Sequence, residues 1–218
     1  MSGPLKWLSV HNAGAILTET KTKLKLDWCS HKAARYAVEN WHYSQRMPKS
    51  KLVKIGVWEN GVFIGVVIFG SGATRALVAP YNLTPEQGCE LVRVALKKHD
   101  APVTRIIKIA LRMLKKYCPK LRLVVSFADP NEGHHGGIYQ AGNWVYTGTT
   151  VACDFFKDKK GKVWHPRNVS EDLWRSGKRV RPSECERIRK EGKHRYLMPL
   201  DSEIKERVAK LEQPYPKR

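Results

Sequence analysis

Runs of apolar residues divide the first two thirds of the chain into predicted strands and helices. The clearest signal is a pair of Val- and Ile-rich runs at residues 52–58 and 62–69, separated by Asn60 and Gly61. Asn-Gly between two apolar runs favours a type I′ turn, because both central residues of that turn need a positive φ. The pattern therefore predicts a β-hairpin.

Two amphipathic helices lie on either side of this hairpin in the sequence. The first is predicted to start after Ser30, a suitable N-cap, and to run to about Trp41, since its apolar positions fall near one helical face. The second is predicted near Pro102, which suits a first helical turn, and its apolar residues recur at helical spacing as far as Leu114. Pro119 ends it.

Further strands are predicted around the second helix. Residues 89–97 form an apolar run before it and residues 121–127 form another after it, so the segment is expected to be a βαβ unit with parallel strands. A short helix is predicted at 137–141, with Gly142 as the left-handed residue that ends it. Apolar and polar residues alternate sufficiently in 143–152 to predict a further strand.

This order of elements predicts an α/β fold, a mixed β-sheet flanked by helices, over residues 1–156. Residues 1–26 show no clear period and are expected to form an irregular edge or an opening strand. Between residues 157 and 195 the composition changes, with 14 Lys and Arg against 6 Asp and Glu. Residues 157–218 are therefore predicted to be a basic C-terminal extension, packed on the core or binding nucleic acid.

The formal net charge of +20 indicates the class of partner. Such an excess suits an extended polyanion, either nucleic acid or an acidic membrane surface. No apolar run reaches the roughly 18–20 residues that a membrane span needs, and the N-terminus lacks a signal-peptide core. A soluble protein of the cytoplasm is expected. The five scattered cysteines argue against a disulfide framework or a structural zinc site.

Four segments carry a resemblance to a known family. They are WHYSQRMP at residues 41–48, ELVRVAL at 90–96, SFADP at 126–130 and GHHGGIYQAGNW at 133–144. Together they resemble the Mom DNA-modification proteins of Mu-like phages over about residues 30–150. The resemblance implies a GNAT-like acyltransferase fold, with which the predicted element order agrees. It also implies transfer of a carbamoylmethyl (acetamido-like) group to N6 of adenine in DNA, which protects phage DNA from host restriction.

The N6 amine of adenine is a poor nucleophile, because its lone pair is delocalised into the ring. Its modification needs an activated donor, an acceptor for the N6 proton and groups that orient the purine. In duplex DNA the base must also be flipped out of the stack. The candidate catalytic residues are His42, Tyr43, Ser126, Asp129 and Tyr139.

Each candidate also has an ordinary structural interpretation. Asp129 follows the C-terminal end of a predicted strand, where it could accept the N6 proton or orient the adenine, but it could equally form an Asx turn before Pro130. His42 and Tyr43 follow a helix and suit a base, a stacking platform or a metal ligand. The alternative for these two is a helix cap and a packed ring.

Three further residues lie on predicted core elements. Ser126 lies on the strand that leads to Asp129 and is expected to point to the cleft. Tyr139 matches the position whose hydroxyl often acts as general acid in GNAT enzymes, or else it packs in the core. Arg93 interrupts an apolar strand, where an unpaired charge is costly, so it is expected to reach a phosphate or carboxylate or to pair with Glu90.

Basic residues and histidines complete the predicted site. The predicted substrate-binding residues are Arg93, Lys97, Lys98, His134 and His135. His42, Tyr43 and Asp129 are also candidate ligands of iron, since histidine with carboxylate and open positions suits non-haem iron. No tight ligand spacing supports the metal, and the histidines in the glycine loop suit a phosphate equally well.

The donor is expected to differ from that of other GNAT enzymes. They bind the pyrophosphate of coenzyme A on a glycine-rich turn at a helix N-terminus. The corresponding residues 97–105 contain no glycine, and Pro102 lacks an N–H. A glycyl unit contains every atom of the carbamoylmethyl amine, given a rearrangement, whereas acetyl lacks the nitrogen. We therefore expect glycyl-tRNA rather than acetyl-CoA as donor, with double-stranded DNA and tRNA as partners.

Two other functions are compatible with parts of the sequence. One is an ordinary GNAT acetyltransferase that acts on a protein or small molecule. The missing glycine turn and the high positive charge argue against it. The other is a non-catalytic nucleic-acid-binding protein, which the charge alone supports equally well. Asp129, His42 and Tyr43 discriminate between the two classes, since a binding protein should lose little when Asp129 becomes asparagine.

Overall fold

The computed structural model describes residues 23–72, 74, 76–166, 169 and 180–217. Short 3-10 turns occur at Ala79–Tyr81, Pro85–Gln87, Pro130–Glu132 and Pro182–Glu184. The helices and strands of the described residues, in chain order, are β1 (Leu24–Trp28), α1 (His31–Trp41), β2 (Leu52–Glu59), β3 (Val62–Gly70), β4 (Gly88–Leu96), α2 (Val103–Tyr117), β5 (Leu123–Ala128), α3 (Gly137–Gln140), β6 (Val145–Thr149), β7 (Cys153–Lys157), β8 (Val163–Trp164), β9 (Glu186–Lys190), β10 (His194–Pro199) and α4 (Ser202–Ala209).

The main sheet has seven strands in the order β1-β2-β3-β4-β5-β10-β6. The β2–β3 hairpin is confirmed, and its turn residues Asn60 and Gly61 have φ angles of 51° and 83°. β4 and β5 run parallel and are joined through α2, which confirms the βαβ unit, whereas the other neighbouring strands are antiparallel. The predicted mixed α/β sheet flanked by helices is therefore confirmed, including the parallel pair expected of a GNAT-like fold.

Helices cover both faces of this sheet. On one face α1 packs its buried alanines against Val66 and Ile68 of β3, and α4 packs against β5 and β10. On the other face α2 packs against Val67 and Phe69 of β3, and Tyr139 of α3 lies in the same cluster. Successive β3 residues thus contact opposite helices, which explains why this strand is apolar almost throughout.

Both long helices begin within one residue of the predicted start. Ser30 caps α1, its Oγ accepting a hydrogen bond from Ala33 N at 3.2 Å. Pro102 is the N-cap of α2 rather than part of its first turn, one residue away from the expectation. Among the described residues, no helix is both long enough and apolar enough to cross a membrane.

The boundary predicted at residue 157 does not separate the sheet from the C-terminal segment. β10 belongs to that segment and lies between β5 and β6, paired with both. Its apolar run is short and directly follows a basic segment, so the sequence pattern did not reveal it. Arg122, the residue before β5, donates two hydrogen bonds of 2.8 and 3.0 Å to Asp201, the N-cap of α4. Residues 194–209 are therefore integral to the core.

The remaining differences between the predicted and observed elements concern where helices and strands begin and end. α3 ends at Gln140, and the left-handed residue after it is Asn143, with a φ of 57°, rather than Gly142. The strand predicted at 143–152 is the shorter β6. Of the first 26 residues, those from Leu24 onward open β1, and the first 22 lie outside the described residues. A second, three-stranded sheet in the order β8-β7-β9 follows β6.

Candidate functional site

The candidate site lies where β4 and β5 separate. Their parallel pairing covers only three positions, Gly88 to Glu90 opposite Leu123 to Val125. Beyond these positions a register shift also interrupts the pairing of β4 with β3, between Leu91 and Arg93. A cavity of about 850 Å³ opens at the gap between the strands.

Seven of the ten predicted site residues line this cavity. They are His42, Tyr43, Arg93, Asp129, His134, His135 and Tyr139. Ser126 lies directly beneath the cavity, fully buried and in contact with Tyr139. Neither Lys97 nor Lys98 lines it; the ammonium group of Lys97 lies 5.8 Å from the ring of Trp41, which does. The cavity thus brings together segments that are distant in the sequence.

His42 is held as a neutral hydrogen-bond donor. It is the C-cap of α1, and its Nδ1 accepts a hydrogen bond from Ser44 N at 3.1 Å. Because Nδ1 is an acceptor, the proton of the neutral ring lies on Nε2. Burial, together with the neighbouring Arg93 and His134, lowers the pKa of His42 from 6.5 to about 4. The ring is therefore uncharged at neutral pH.

This depressed pKa predicts a pH dependence of stability. Between pH 6.5 and about 4 the unfolded chain binds a proton at His42 and the folded chain does not. The free energy of unfolding should therefore fall as the pH decreases through this window and stay high above it. Urea unfolding at several pH values should show a shallower slope for His42→Gln, whereas the exposed-residue control His31→Gln should keep the wild-type slope. Equal slopes for all three proteins would contradict the assignment.

Tyr43 and His134 form an aromatic platform at the cavity. Their ring centroids are 4.9 Å apart, and Tyr43 also lies 4.3 Å from the ring of His42. The Tyr43 side chain is 52% exposed. An exposed aromatic surface beside a cavity offers a face on which a planar base can stack.

Ser126 and Tyr139 connect the two strands beneath the cavity. Ser126 Oγ lies 2.9 Å from the carbonyl oxygen of Leu91 and 2.8 Å from Tyr139 Oη. Since a carbonyl only accepts, the serine donates to Leu91 and accepts the proton of Tyr139. Burial raises the pKa of Tyr139 to about 12. In this arrangement the hydrogen bonds of both hydroxyls bridge β4, β5 and α3.

Asp129 both caps a turn and lines the cavity. It is the N-cap of the turn Pro130–Glu132, and its Oδ1 accepts hydrogen bonds from the backbone and side-chain nitrogens of Asn131. Its Oδ2 lies 3.0 Å from the ammonium group of Lys193, and 12% of its side chain is exposed. Burial raises the pKa of Asp129, but the hydrogen bonds from Asn131 and Lys193 outweigh it, so the net pKa is lowered. Asp129 is therefore an ionised carboxylate at the cavity.

Arg93 supplies positive charge to the same cavity. Its Nη1 donates to the carbonyl of Val92 at 2.7 Å, and its buried Nε has no hydrogen-bond partner among the described residues. Burial lowers the pKa of Arg93, opposed by Tyr43 and Glu90. A buried N–H without a partner is costly in the absence of a ligand. This group is thus suited to donate to an oxygen of a bound substrate.

Glu59 contacts residues 97–105, the segment in which the sequence predicts no pyrophosphate-binding turn. Its carboxylate accepts hydrogen bonds from Asp100 N at 3.0 Å and Ala101 N at 2.8 Å. These hydrogen bonds, the one from Asp100 first, lower the pKa of Glu59 against the opposing effect of burial. Pro102 follows with no N–H to offer. The two N–H groups that precede α2 are thus already bound to a carboxylate of the protein.

The predicted iron ligands do not form a metal site. Among the residues that the structure describes, no three His, Cys, Asp or Glu side chains converge as a metal ion requires. Asp129 is held by Asn131 and Lys193, and Nδ1 of His42 is bound by Ser44. Nε2 of His42 carries the ring proton in this tautomer and so cannot ligate a metal without losing it. The arrangement does not fit iron.

The structure adds residues that the sequence interpretation missed. Lys193, Thr150 and His165 line the cavity, although all three come from beyond the recognised motifs. Asn131 also binds the backbone of Glu191 with both its side-chain atoms, at 3.1 and 3.2 Å, which fixes the Asp129 turn against the approach to β10. Only the pairing of β10 with β5 brings Lys193 close to Asp129, so no local pattern in the sequence signals it.

Comparisons with known proteins agree with the motifs. The model of the Mom protein family matches residues 23–217. The methylcarbamoylase Mom of Escherichia phage Mu is 27% identical over an alignment of 226 positions that spans 94% of this chain and 88% of that protein. Among solved structures, FeeM, an N-acyl amino acid synthase from uncultured soil microbes, has 10% identity and a TM-score of 0.49 over 88% of this chain and 98% of its own. A protein of Acinetobacter baylyi ADP1 assigned to the acetyltransferases has 14% identity and a TM-score of 0.44 over 84% of this chain and 95% of its own.

Proposed function

Since the chain belongs to the Mom protein family, whose members modify DNA, we propose that it transfers a carbamoylmethyl group to N6 of adenine in double-stranded DNA. The observation that carries the proposal is the cavity between β4 and β5, where the ionised Asp129 lies beside the aromatic platform of Tyr43 and His134. The modification would protect phage DNA from restriction, and the protein would act in the cytoplasm of the bacterial host.

The cavity suits a flipped purine. Its volume of about 850 Å³ lies in the range of cavities that enclose a small molecule, so an extruded base fits. The base would stack on Tyr43 or on His134, whose rings lie at the exposed side of the cavity and are inclined by 56° to each other. The excess of basic residues in the chain favours approach of the DNA backbone.

Asp129 would orient the adenine amine. A carboxylate accepts hydrogen bonds only, so it can hold an N6–H and stabilise the positive charge that develops as the amine attacks. Its lowered pKa makes it a weak base and a good orienting acceptor. Arg93, with its unpartnered Nε, would donate to the carbonyl oxygen of the donor as negative charge develops there.

The donor we propose is the glycyl ester of a tRNA. The adenine amine attacks the glycyl carbonyl, a bond forms between N6 and that carbon, the ester C–O bond breaks, and the N6 proton passes to the leaving ribose oxygen. The glycyl amine then attacks C6 of the purine and the bond between C6 and the original N6 breaks. The second step is an isomerisation, so the carbamoylmethyl product forms without oxidant or added nitrogen.

The local structure before α2 supports this choice over acetyl-CoA. A pyrophosphate needs free backbone N–H groups at a helix N-terminus. Here Glu59 binds the N–H groups of Asp100 and Ala101 and Pro102 has none, so only the N–H groups within the first turn of α2 remain for an anion. A second anion at this position would meet the carboxylate of Glu59.

The proposed modification is tested by mass spectrometry of nucleosides from DNA of cells that express the protein. We expect deoxyadenosine that carries the mass of a carbamoylmethyl group, and the same nucleoside should be absent from cells with empty vector. Unmodified deoxyadenosine from cells in which the folded protein is abundant would refute the proposal and favour a different acceptor or a binding protein.

The donor is tested with purified components. Protein, duplex DNA and glycyl-tRNA should yield modified adenine, whereas acetyl-CoA in place of the charged tRNA should yield none. Uncharged tRNA with free glycine is the matched control, since it offers the same polyanion without an activated ester. Product formed from acetyl-CoA without tRNA would refute the glycyl donor while leaving the acceptor assignment intact.

A further inference from the structure

A second, larger groove lies on the α2 face of the main sheet. α3 is only four residues long, so it leaves the flank of α2 beside β10 and β6 uncovered. The resulting groove has a volume of about 1080 Å³ and runs along α2 from Pro102 to Lys116. It meets the cavity between β4 and β5 at Ile138, which lines both.

The floor of this groove is apolar. Ile107, Leu111 and Trp144 contribute to it and are almost fully buried, and Met198 lies at its β10 side. The partly exposed Ile138, Met198 and Leu200 also line the groove, and an apolar surface of this kind accommodates an unstacked base or sugar at the end of a nucleic-acid strand. The groove thus offers more than charge to a ligand.

The edge of the groove is a row of basic side chains on α2. Arg105, Lys108, Arg112 and Lys116 are all exposed and follow one another at intervals of three or four residues. At the helical rise they extend over about 16 Å along one side of the helix. No acidic residue occurs from residue 101 to 128, so the row has no acidic neighbour in the sequence.

This row lacks the ion pairs that accompany basic residues on the other long helices. α1 pairs Arg35 with Glu39 and α4 pairs Arg207 with Glu203, both at a spacing of four residues. Within the described part of the chain, no salt bridge joins the row on α2 to a carboxylate. Like charges at this spacing destabilise a helix, so the row is explained by an external polyanion.

We propose that the α2 groove binds the RNA that carries the donor group, with its phosphates along the basic row and its terminal nucleotide on the apolar floor. This inference rests on the proposed function, and it places the two nucleic acids on opposite faces of the sheet. Tyr43 and the end of α1 lie on one face, and α2 lies on the other. Sites on opposite faces let the duplex and the RNA bind together without overlap, and Ile138, which lines both the groove and the cavity, marks where the donor would enter the cavity.

The test compares RNA and DNA binding by one triple variant. Arg105→Gln, Lys108→Gln and Arg112→Gln together remove three charges from exposed positions, so the fold should be retained, as circular dichroism and thermal unfolding would verify. The matched control removes three exposed charges elsewhere, by Lys23→Gln, Lys32→Gln and Lys210→Gln. The probes are deacylated tRNA and a synthetic DNA duplex, titrated by fluorescence anisotropy at several salt concentrations.

We expect the α2 variant to bind tRNA about tenfold or more weakly, with the slope of log affinity against log salt reduced by about 3. Its affinity for the duplex should change by less than about twofold, and the control should keep both affinities within about that range. Unchanged tRNA affinity would overturn the inference. An equal loss of tRNA and duplex binding would also overturn it, because the row would then serve DNA.

Nucleoside analysis separates this inference from the proposed function. If cells contain modified adenine but the α2 substitutions do not change tRNA binding, the α2 site is refuted and the proposed function is retained. Selective loss of tRNA binding in a protein that modifies no adenine would support the α2 site and refute the function.

Discussion

Replacing Asp129 with asparagine is expected to reduce the formation of modified adenine by about 10²–10³-fold, the range typical for loss of one group that stabilises charge developing in the transition state. Asparagine keeps an oxygen that can accept from Asn131, so the turn should persist. It removes the negative charge that would face the adenine amine and the pairing with Lys193. Nucleoside mass spectrometry of DNA from cells that express each variant measures the loss.

The neighbouring carboxylate provides the control for this variant. Glu132 lies in the same turn and is exposed, and Glu132→Gln should keep activity within about twofold of wild type. Stability should change by only about 0–1 kcal/mol in Asp129→Asn, because the bond to the half-exposed Lys193 contributes little. Duplex DNA should bind equally well or more tightly, since one repulsive charge is lost. Full activity in Asp129→Asn would exclude the proposed role of this carboxylate.

Replacing Gly136 with alanine is expected to destabilise the fold by about 2–5 kcal/mol. Gly136 has a φ of 86°, and an added Cβ would overlap the ring of Tyr196. Tyr196 is fully buried in β10 and its hydroxyl donates to the carbonyl of His135, so it cannot move aside freely. The loop that carries His134 and His135 would shift, and the cavity with it.

A second glycine in the same loop provides a control that distinguishes backbone strain from steric overlap with Tyr196. Gly133 has a similar φ of 72°, but an added Cβ would meet no atom within 4 Å. Gly133→Ala should therefore cost only the left-handed backbone, about 1–2 kcal/mol. Urea unfolding of both variants measures the difference. Equal losses would mean that the contact between Gly136 and Tyr196 does not hold the loop.

Local patterns were sufficient for much of the fold and for part of the site. The Asn60-Gly61 turn, the N-cap Ser30 and the βαβ unit depend on neighbouring residues, and the structure has all of them. The segments at 41–48, 90–96, 126–130 and 133–144 are recognisable without the fold, and they place seven predicted residues around one cavity. Lys97 and Lys98 lie outside it, because proximity in sequence to a strand end does not determine where a flexible side chain points.

Long-range pairing decided the rest. The insertion of β10 between β5 and β6 brings Lys193 to Asp129, and the carboxylate of Glu59 reaches Asp100 and Ala101 from 41 and 42 residues away. The short α3 exposes the groove along α2. The sequence by itself determined the family, the local elements and the residues of the motifs, because these depend on neighbours along the chain. Only the tertiary structure decided which charges meet, since that follows from strand order and from burial shared by distant segments.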